Sequence, residues 1–170
     1  MEKILVSACL LGKKVRYDGG SLSASARIID KWLAAGNVVP VCPEVEAGMG
    51  VPRAPAEIQG GDGYGVLKKE ALVVDNAGKD VTMYFEKGAQ IALALCLKHN
   101  IKVALLTEKS PSCASSSLYD GRFSGSMVSG VGVTTAWLIK HGVTVFSQND
   151  IEGADLFLNQ AFVCPPQESK

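Results

Sequence analysis

The chain has no apolar run approaching the roughly 20 residues that cross a membrane, no excess of either charge, and only two histidines. The first absence removes a membrane partner from the expectations. The balance of 17 basic against 17 acidic residues removes electrostatic capture of a polyanion, and a large RNA, which needs a basic face, is not an expected partner. His99 and His141 both end helical stretches, where the helix dipole favours a cation, and neither is assigned to a site. A phosphate loop of the Gly-x-x-x-x-Gly-Lys-Ser/Thr kind is also missing, as are paired Cys-x-x-Cys and His-x-Glu spacings. There is no repeat array and no low-complexity segment. The start, Met1-Glu2-Lys3, leads straight into a short strand-like run. No signal peptide is therefore expected, and the expected setting is cytoplasmic.

What is present suits an α/β enzyme: 170 residues, 18 of them glycine, with 20% charged. Short apolar runs at Ile4–Val6, Val38–Val41, Ile101–Leu106 and Val143–Phe146 read as buried strands. Helical spacing appears over Ala24–Ala35, with Ile28, Ile29, Trp32 and Leu33 as an apolar stripe. It appears again over Thr82–Asn100, Val131–His141 and Ile151–Phe162. Leu67–Val74 reads as a short strand or hairpin arm. Polar or Gly- and Pro-rich loops are expected at Leu10–Gly20, Pro43–Gly65 and Thr107–Gly130. Strand and helix alternate, which predicts a single Rossmann-like three-layer α/β domain, residues 1–164, with a mostly parallel sheet and a tail at 165–170.

Three of the five cysteines follow these strands. Cys9 closes the first run, Cys42 the second, and Cys113 comes shortly after the third. The carboxyl ends of parallel strands share one edge, and ligands bind in the crevice there. In a reducing compartment such cysteines are expected to be reduced, metal-bound or reactive rather than disulfide-linked. Three thiolates without a fourth suggest a metal cluster with one open coordination position, and hence an enzyme. Cys96 sits on an apolar helix face and reads as packing, and Cys164, in the tail, as an incidental thiol.

Several segments carry a family likeness: Val6-Ser7-Ala8-Cys9-Leu10-Leu11-Gly12, Val15-Arg16-Tyr17-Asp18-Gly19, Cys42-Pro43-Glu44 and Pro52-Arg53-Ala54-Pro55-Ala56-Glu57. They continue through Val81-Thr82 with Gly88-Ala89, Lys109-Ser110-Pro111-Ser112-Cys113, Tyr119-Asp120-Gly121-Arg122-Phe123 and Gly130-Val131-Gly132. In this combination and order, over roughly residues 4 to 150, the chain resembles the bacterial 2-thiouracil desulfidase family. The resemblance implies a [4Fe-4S] cluster on Cys9, Cys42 and Cys113. It also implies non-redox removal of sulfur from a thiolated pyrimidine, as free base or nucleoside. Ala114 departs from the pattern, standing where glycine is expected.

The chemistry is coherent. A cluster with three protein ligands leaves one iron open as a soft Lewis acid. A thiocarbonyl sulfur on that iron becomes polarised, water adds at carbon, and sulfide leaves onto the iron. Glu44 is the expected acid–base carboxylate. Ser110 and Ser112 are expected to orient substrate or relay a proton, Ser110 before Ser112. Ser7 and Arg16 are substrate-binding candidates. Gly130 and Gly132, before a helix, are candidates for offering backbone N–H groups to a substrate oxygen. The same segment lacks the full dinucleotide fingerprint and does not follow an expected strand, so no NAD site is expected.

Plainer readings stand beside these. Serines flanking Pro111 commonly shape loops, and Asp18 and Asp120 read as turn residues. Arg53 and Arg122 either contact substrate or hold loop carbonyls and carboxylates. Two other function classes compete: a hydrolase with zinc on three cysteines, and a non-catalytic nucleotide- or metabolite-binding module.

Overall fold

A computed structural model describes residues 2–13, 24–50 and 53–162. In chain order the elements are β1 (Ile4–Ser7), α1 (Ala8–Lys13), α2 (Ala24–Ala34), β2 (Val38–Val41), α3 (Pro43–Glu46), β3 (Ala56–Gln59), α4 (Gly63–Leu67), β4 (Leu72–Asp75), α5 (Thr82–His99), β5 (Val103–Leu106), β6 (Ser117–Tyr119), β7 (Met127–Ser129), α6 (Val133–Lys140), β8 (Thr144–Ser147) and α7 (Ile151–Phe162).

β1, β2, β5 and β8 form a wholly parallel sheet in the order β2-β1-β5-β8. Ser7 is paired with Val41, Val6 with Leu105 and Leu106 with Ser147, so the four strands end in step at one edge. Period-two alternation divides their side chains between two cores. Leu5, Val39, Val41, Ala104 and Leu106 pack with residues of α5 and α6. Ile4, Val6, Val103 and Leu105 pack with α2 and α7. Both sets are buried, which is why the strands read as unbroken apolar runs. Leu5, Leu105 and Leu106 are fully enclosed, and truncating one to alanine costs about 2–5 kcal/mol. Trp32 Nε1 donates to Asp155 Oδ1 at 2.9 Å, tying α2 to α7. α5 ends at Asn100 in the left-handed conformation, a role asparagine tolerates.

This is the expected three-layer α/β fold. The chain leaves β1 for β2 on one side, and crosses through α5 to β5 and through α6 to β8 on the other. Right-handed crossovers then place α2 and the α5–α6 pair on opposite faces, and a switch point opens between β1 and β5.

The expected loops carry more structure than their composition shows. The helix α1 starts directly at the end of β1; its continuation, residues 14–23, lies outside the described residues, as do residues 163–170 with Cys164. Within the expected loop 43–65, α3 begins at once, and β3 pairs antiparallel with β4. The side chain of Asp62 caps α4, accepting from Tyr64 N–H at 3.1 Å. Of the short strand or hairpin arm expected over Leu67–Val74, Leu72–Val74 is strand, in the β4 arm that pairs with β3, while Leu67 ends α4 and a turn joins them. The loop at 107–130 holds the β6–β7 hairpin, so Gly130 does follow a strand, though one of an isolated pair. β3, β4, β6 and β7 are three or four residues each, set among polar and Gly-rich turns. Their stability comes from a separate core of Ile58, Val66, Val73, Phe85, Leu118 and Val133. Among the described residues, no helix is long and apolar enough to cross a membrane.

Candidate active site

Cys9 lies in the first turn of α1, exposed at the carboxyl edge. Its Sγ is 2.7 Å from Thr107 Oγ1, just beyond the end of β5. The neighbouring Ser7 is buried, and its Oγ accepts from Thr107 N–H at 3.0 Å. Pairing of β1 with β5 thus brings residues about a hundred positions apart into direct contact.

Cys42 is the N-cap residue of α3 and follows β2 without a break. Its thiol makes no capping hydrogen bond, which leaves the sulfur available as a ligand; Glu46 reaches back to its N–H at 3.4 Å. Pro43 starts the helix, where a missing N–H costs nothing. Gly88 of α5 lies against Pro43, and a Cβ there would come within 2.7 Å of the Pro43 carbonyl oxygen. That close approach lets α5 pass under the segment. Glu44 is thereby turned into the crevice, 12% exposed, its Oε2 3.7 Å from a guanidinium nitrogen of Arg53.

Cys113 is 3% exposed. Ser110 Oγ accepts from the N–H groups of Ser112 at 3.0 Å and Cys113 at 3.1 Å, while the Cys113 carbonyl accepts from Thr135 Oγ1 at 2.8 Å. Ser112 is fully buried with its Oγ 2.7 Å from Thr134 Oγ1. Burial pushes the Cys113 thiol up to about 12, and the charge of Glu44 adds to the effect; hydrogen bonds from Ser112 and Ser7 pull the other way. Ala114 buries its methyl completely in the hairpin-side core.

The expected offering of N–H groups by Gly130 and Gly132 is not what the backbone does. Gly130 N–H bonds to the Ser116 carbonyl at 3.0 Å and Gly132 N–H to that of Ala114 at 2.9 Å. Gly132 is glycine for another reason: a Cβ would lie 2.4 Å from the carbonyl carbon of Ser112. Arg16 and Asp18 lie outside the described residues. Asp120 shapes its turn by accepting from Arg122 N–H at 2.9 Å. Cys96 is buried in the sheet core, and burial raises its thiol to about 11.

Two carboxylates that sequence reasoning left out hold the site's frame. Glu108 accepts from Ser115, Ser116 and Ser117 N–H groups and from two serine hydroxyls, at 2.9 to 3.1 Å. Burial works to raise its pKa, but these bonds prevail and hold it down at about 2. Glu57 Oε1 accepts from Gly121 and Phe123 N–H groups. The available signal was an acid beside a run of serines, which can donate to it, but the partners of Glu57 are too distant in sequence to suggest themselves. An open cleft of about 450 Å³ is lined among others by Glu44, two residues after Cys42, and Ser110, three before Cys113, with Arg53, Lys109 and Tyr119. Its size falls in the roughly 300–1,000 Å³ range of small-molecule sites.

A family model for 2-thiouracil desulfurase matches residues 4–150. The chain belongs to that family. An uncharacterized Bacillus subtilis (strain 168) protein, YbbK, is 42% identical over 148 residues, covering 87% of this chain and 97% of the relative. The solved structure of the [4Fe-4S]-dependent thiouracil desulfidase TudS superposes with a TM-score of 0.79 at 45% identity, covering 94% of this chain and 99% of the other. The family match thus takes in β1 through β8 and every cysteine of the crevice.

Among the described residues, no three His, Cys, Asp or Glu side chains close on a point fit for a single ion. A zinc site needs all its ligands within about 2.0–2.3 Å of one centre. A cluster asks for a wider arrangement, because each thiolate goes to a different iron.

Proposed function

We propose that this chain is an iron–sulfur enzyme that replaces the sulfur of a thiolated pyrimidine base or nucleoside by oxygen, without net electron transfer. The observation that carries this reading is the placement of Cys9, Cys42 and Cys113 after adjoining strands at one sheet edge, beside Glu44. It occurs in a chain 45% identical to a [4Fe-4S]-dependent thiouracil desulfidase. The donor set fits a cluster: three soft sulfur ligands, with the Thr107 hydroxyl 2.7 Å from the sulfur of Cys9. Cys9, Cys42 and Cys113 would hold it, and when bound it supplies a soft Lewis acid for a thiocarbonyl sulfur.

The remaining work belongs to the chain. Water adds at the thiocarbonyl carbon, the C–S bond breaks, and the balance is C=S plus water giving C=O plus hydrogen sulfide. Glu44 takes the proton from water; the adjacent Arg53 holds its carboxylate in the cleft. Ser110 accepts two N–H groups, which leaves its own proton free to donate to a substrate oxygen or ring nitrogen. Ser112 and Ser7 act on Cys113 rather than on substrate, and Gly130 and Gly132 hold the Cys113 loop. Arg16 stays a substrate-binding candidate through its place in the family motif. The reading takes residues 1–164 as one functional domain in the cytoplasm, where thiols stay reduced.

The test is anaerobic purification or reconstitution, followed by iron and sulfide analysis and incubation with 2-thiouracil. About four irons per chain, with uracil and sulfide formed in equal amounts, is the expected result. Glu44→Ala should keep the cluster and lose turnover. Protein that takes up no iron, or a Glu44→Ala variant of full activity, overturns the corresponding part.

A further inference from the structure

Thr107 occupies an unusual position for a residue outside the cleft. It is the first residue after β5, and β5 lies beside β1 with Val6 opposite Leu105. Its two polar ends therefore both point at the end of β1. The side-chain Oγ1 lies 2.7 Å from Cys9 Sγ, and the backbone N–H donates to Ser7 Oγ at 3.0 Å. Ser7 is itself buried. The residue that follows β5 thus meets Cys9 through its side chain and Ser7 through its backbone.

The direction of these bonds follows from proton counting. Between a free thiol and a hydroxyl, either atom can donate. A metal-bound thiolate has no proton and can only accept, so Thr107 must donate to Cys9. Ser7 Oγ accepts from Thr107 N–H, which fixes the Thr107 backbone against the end of β1. Thr107 is β-branched, so its hydroxyl has few directions to choose from.

We infer that Thr107 is a positioning residue whose hydroxyl donates to the sulfur of Cys9 and so controls how tightly that thiolate holds its metal and how much charge it passes to it. The inference rests on the cluster reading above. A donor hydrogen bond draws charge from a thiolate sulfur and stabilises the more reduced, more negative form of the group it ligates. Groups that orient ligands in this way commonly change metal affinity by about 10- to 100-fold when removed.

The experiment compares wild type, Thr107→Val and Thr107→Ser after anaerobic reconstitution. Two quantities are read: the midpoint potential of the cluster, by electron paramagnetic resonance during reductive titration, and the rate of iron loss to a chelator. Circular dichroism confirms that each variant is folded. Thr107→Val, which keeps the shape and removes the hydroxyl, should shift the potential to a more negative value and lose iron on the order of 10-fold faster. Thr107→Ser should stay close to wild type. Loss of the cluster in folded Thr107→Val but not in Thr107→Ser supports the same assignment. An unchanged or more positive potential in Thr107→Val overturns it, as does equal cluster loss in both variants. Wild-type protein that never takes up iron and sulfide fails the cluster reading itself, which separates the two failures.

Discussion

Cys9 follows β1 and Cys113 lies in the loop after the neighbouring β5, yet they are held in opposite ways. Cys9 is exposed in the first turn of a short helix, with a threonine hydroxyl against its sulfur. Cys113 is almost wholly enclosed, its N–H taken by Ser110 and its carbonyl by Thr135. Glu108 then fastens the three residues 115–117 behind it. One side of the crevice is fixed by the fold before any ligand arrives, while the other is reached easily from solvent. The proposed cluster would need both: a rigid wall to set position, and an accessible one to admit it.

The contrast is sharpest in thiol reactivity. In metal-free protein at neutral pH, iodoacetamide should modify Cys9 about ten-fold or more faster than Cys113, because burial keeps Cys113 protonated and covered. Mass spectrometry of the digested protein reads the order, and equal rates would erase the distinction. Next in size is the anchor of the rigid wall. Glu108→Ala leaves up to five donors without their acceptor and should cost about 3 kcal/mol by urea unfolding. A change near zero would mean that water replaces the carboxylate freely. Glu108→Gln tests the charge. The folded pKa is about 2 against an ordinary value of 4.5, so the contribution is complete above 4.5 and fades as the pH falls through that interval toward about 2. The wild type should therefore lose stability more steeply than Glu108→Gln over that range. Smallest is Gly132→Ala, which drives a methyl against the Ser112 carbonyl and should cost about 1–3 kcal/mol. Thermal unfolding without loss would show that the loop gives way.

The same contrast marks what could be read in the sequence. The parallel sheet was legible because Ile4–Val6 and Val103–Leu106 are apolar throughout and buried on both faces, and Val38–Val41 is apolar beside them. From those strands alone the sheet edge with Cys9 and Cys42 follows, and Glu44 with them. The hairpin side was not legible. β6 and β7 are three residues each, and β7 is exposed along its length, so it shows no alternation of burial. From sequence, Ser110 is favoured over Ser112 while both are candidates for orienting substrate or relaying a proton; Ser112 is enclosed by Thr134 of α6, a contact that no local pattern announces. Glu57 and Thr107 take their roles from partners some tens of residues away or more, and such roles appear only once the chain is folded.

The strand order also sets a timetable. β2 lies on one side of β1 and β5 on the other. During synthesis the first two thiols can be brought together once β2 has emerged, whereas the third must wait until α5 and β5 have followed. Its loop is not clamped until Gly132, Thr134 and Thr135 of the α6 region are also present. An incomplete nascent chain therefore presents two of these sulfurs without the enclosure, and the site is among the last parts of the molecule to come into being.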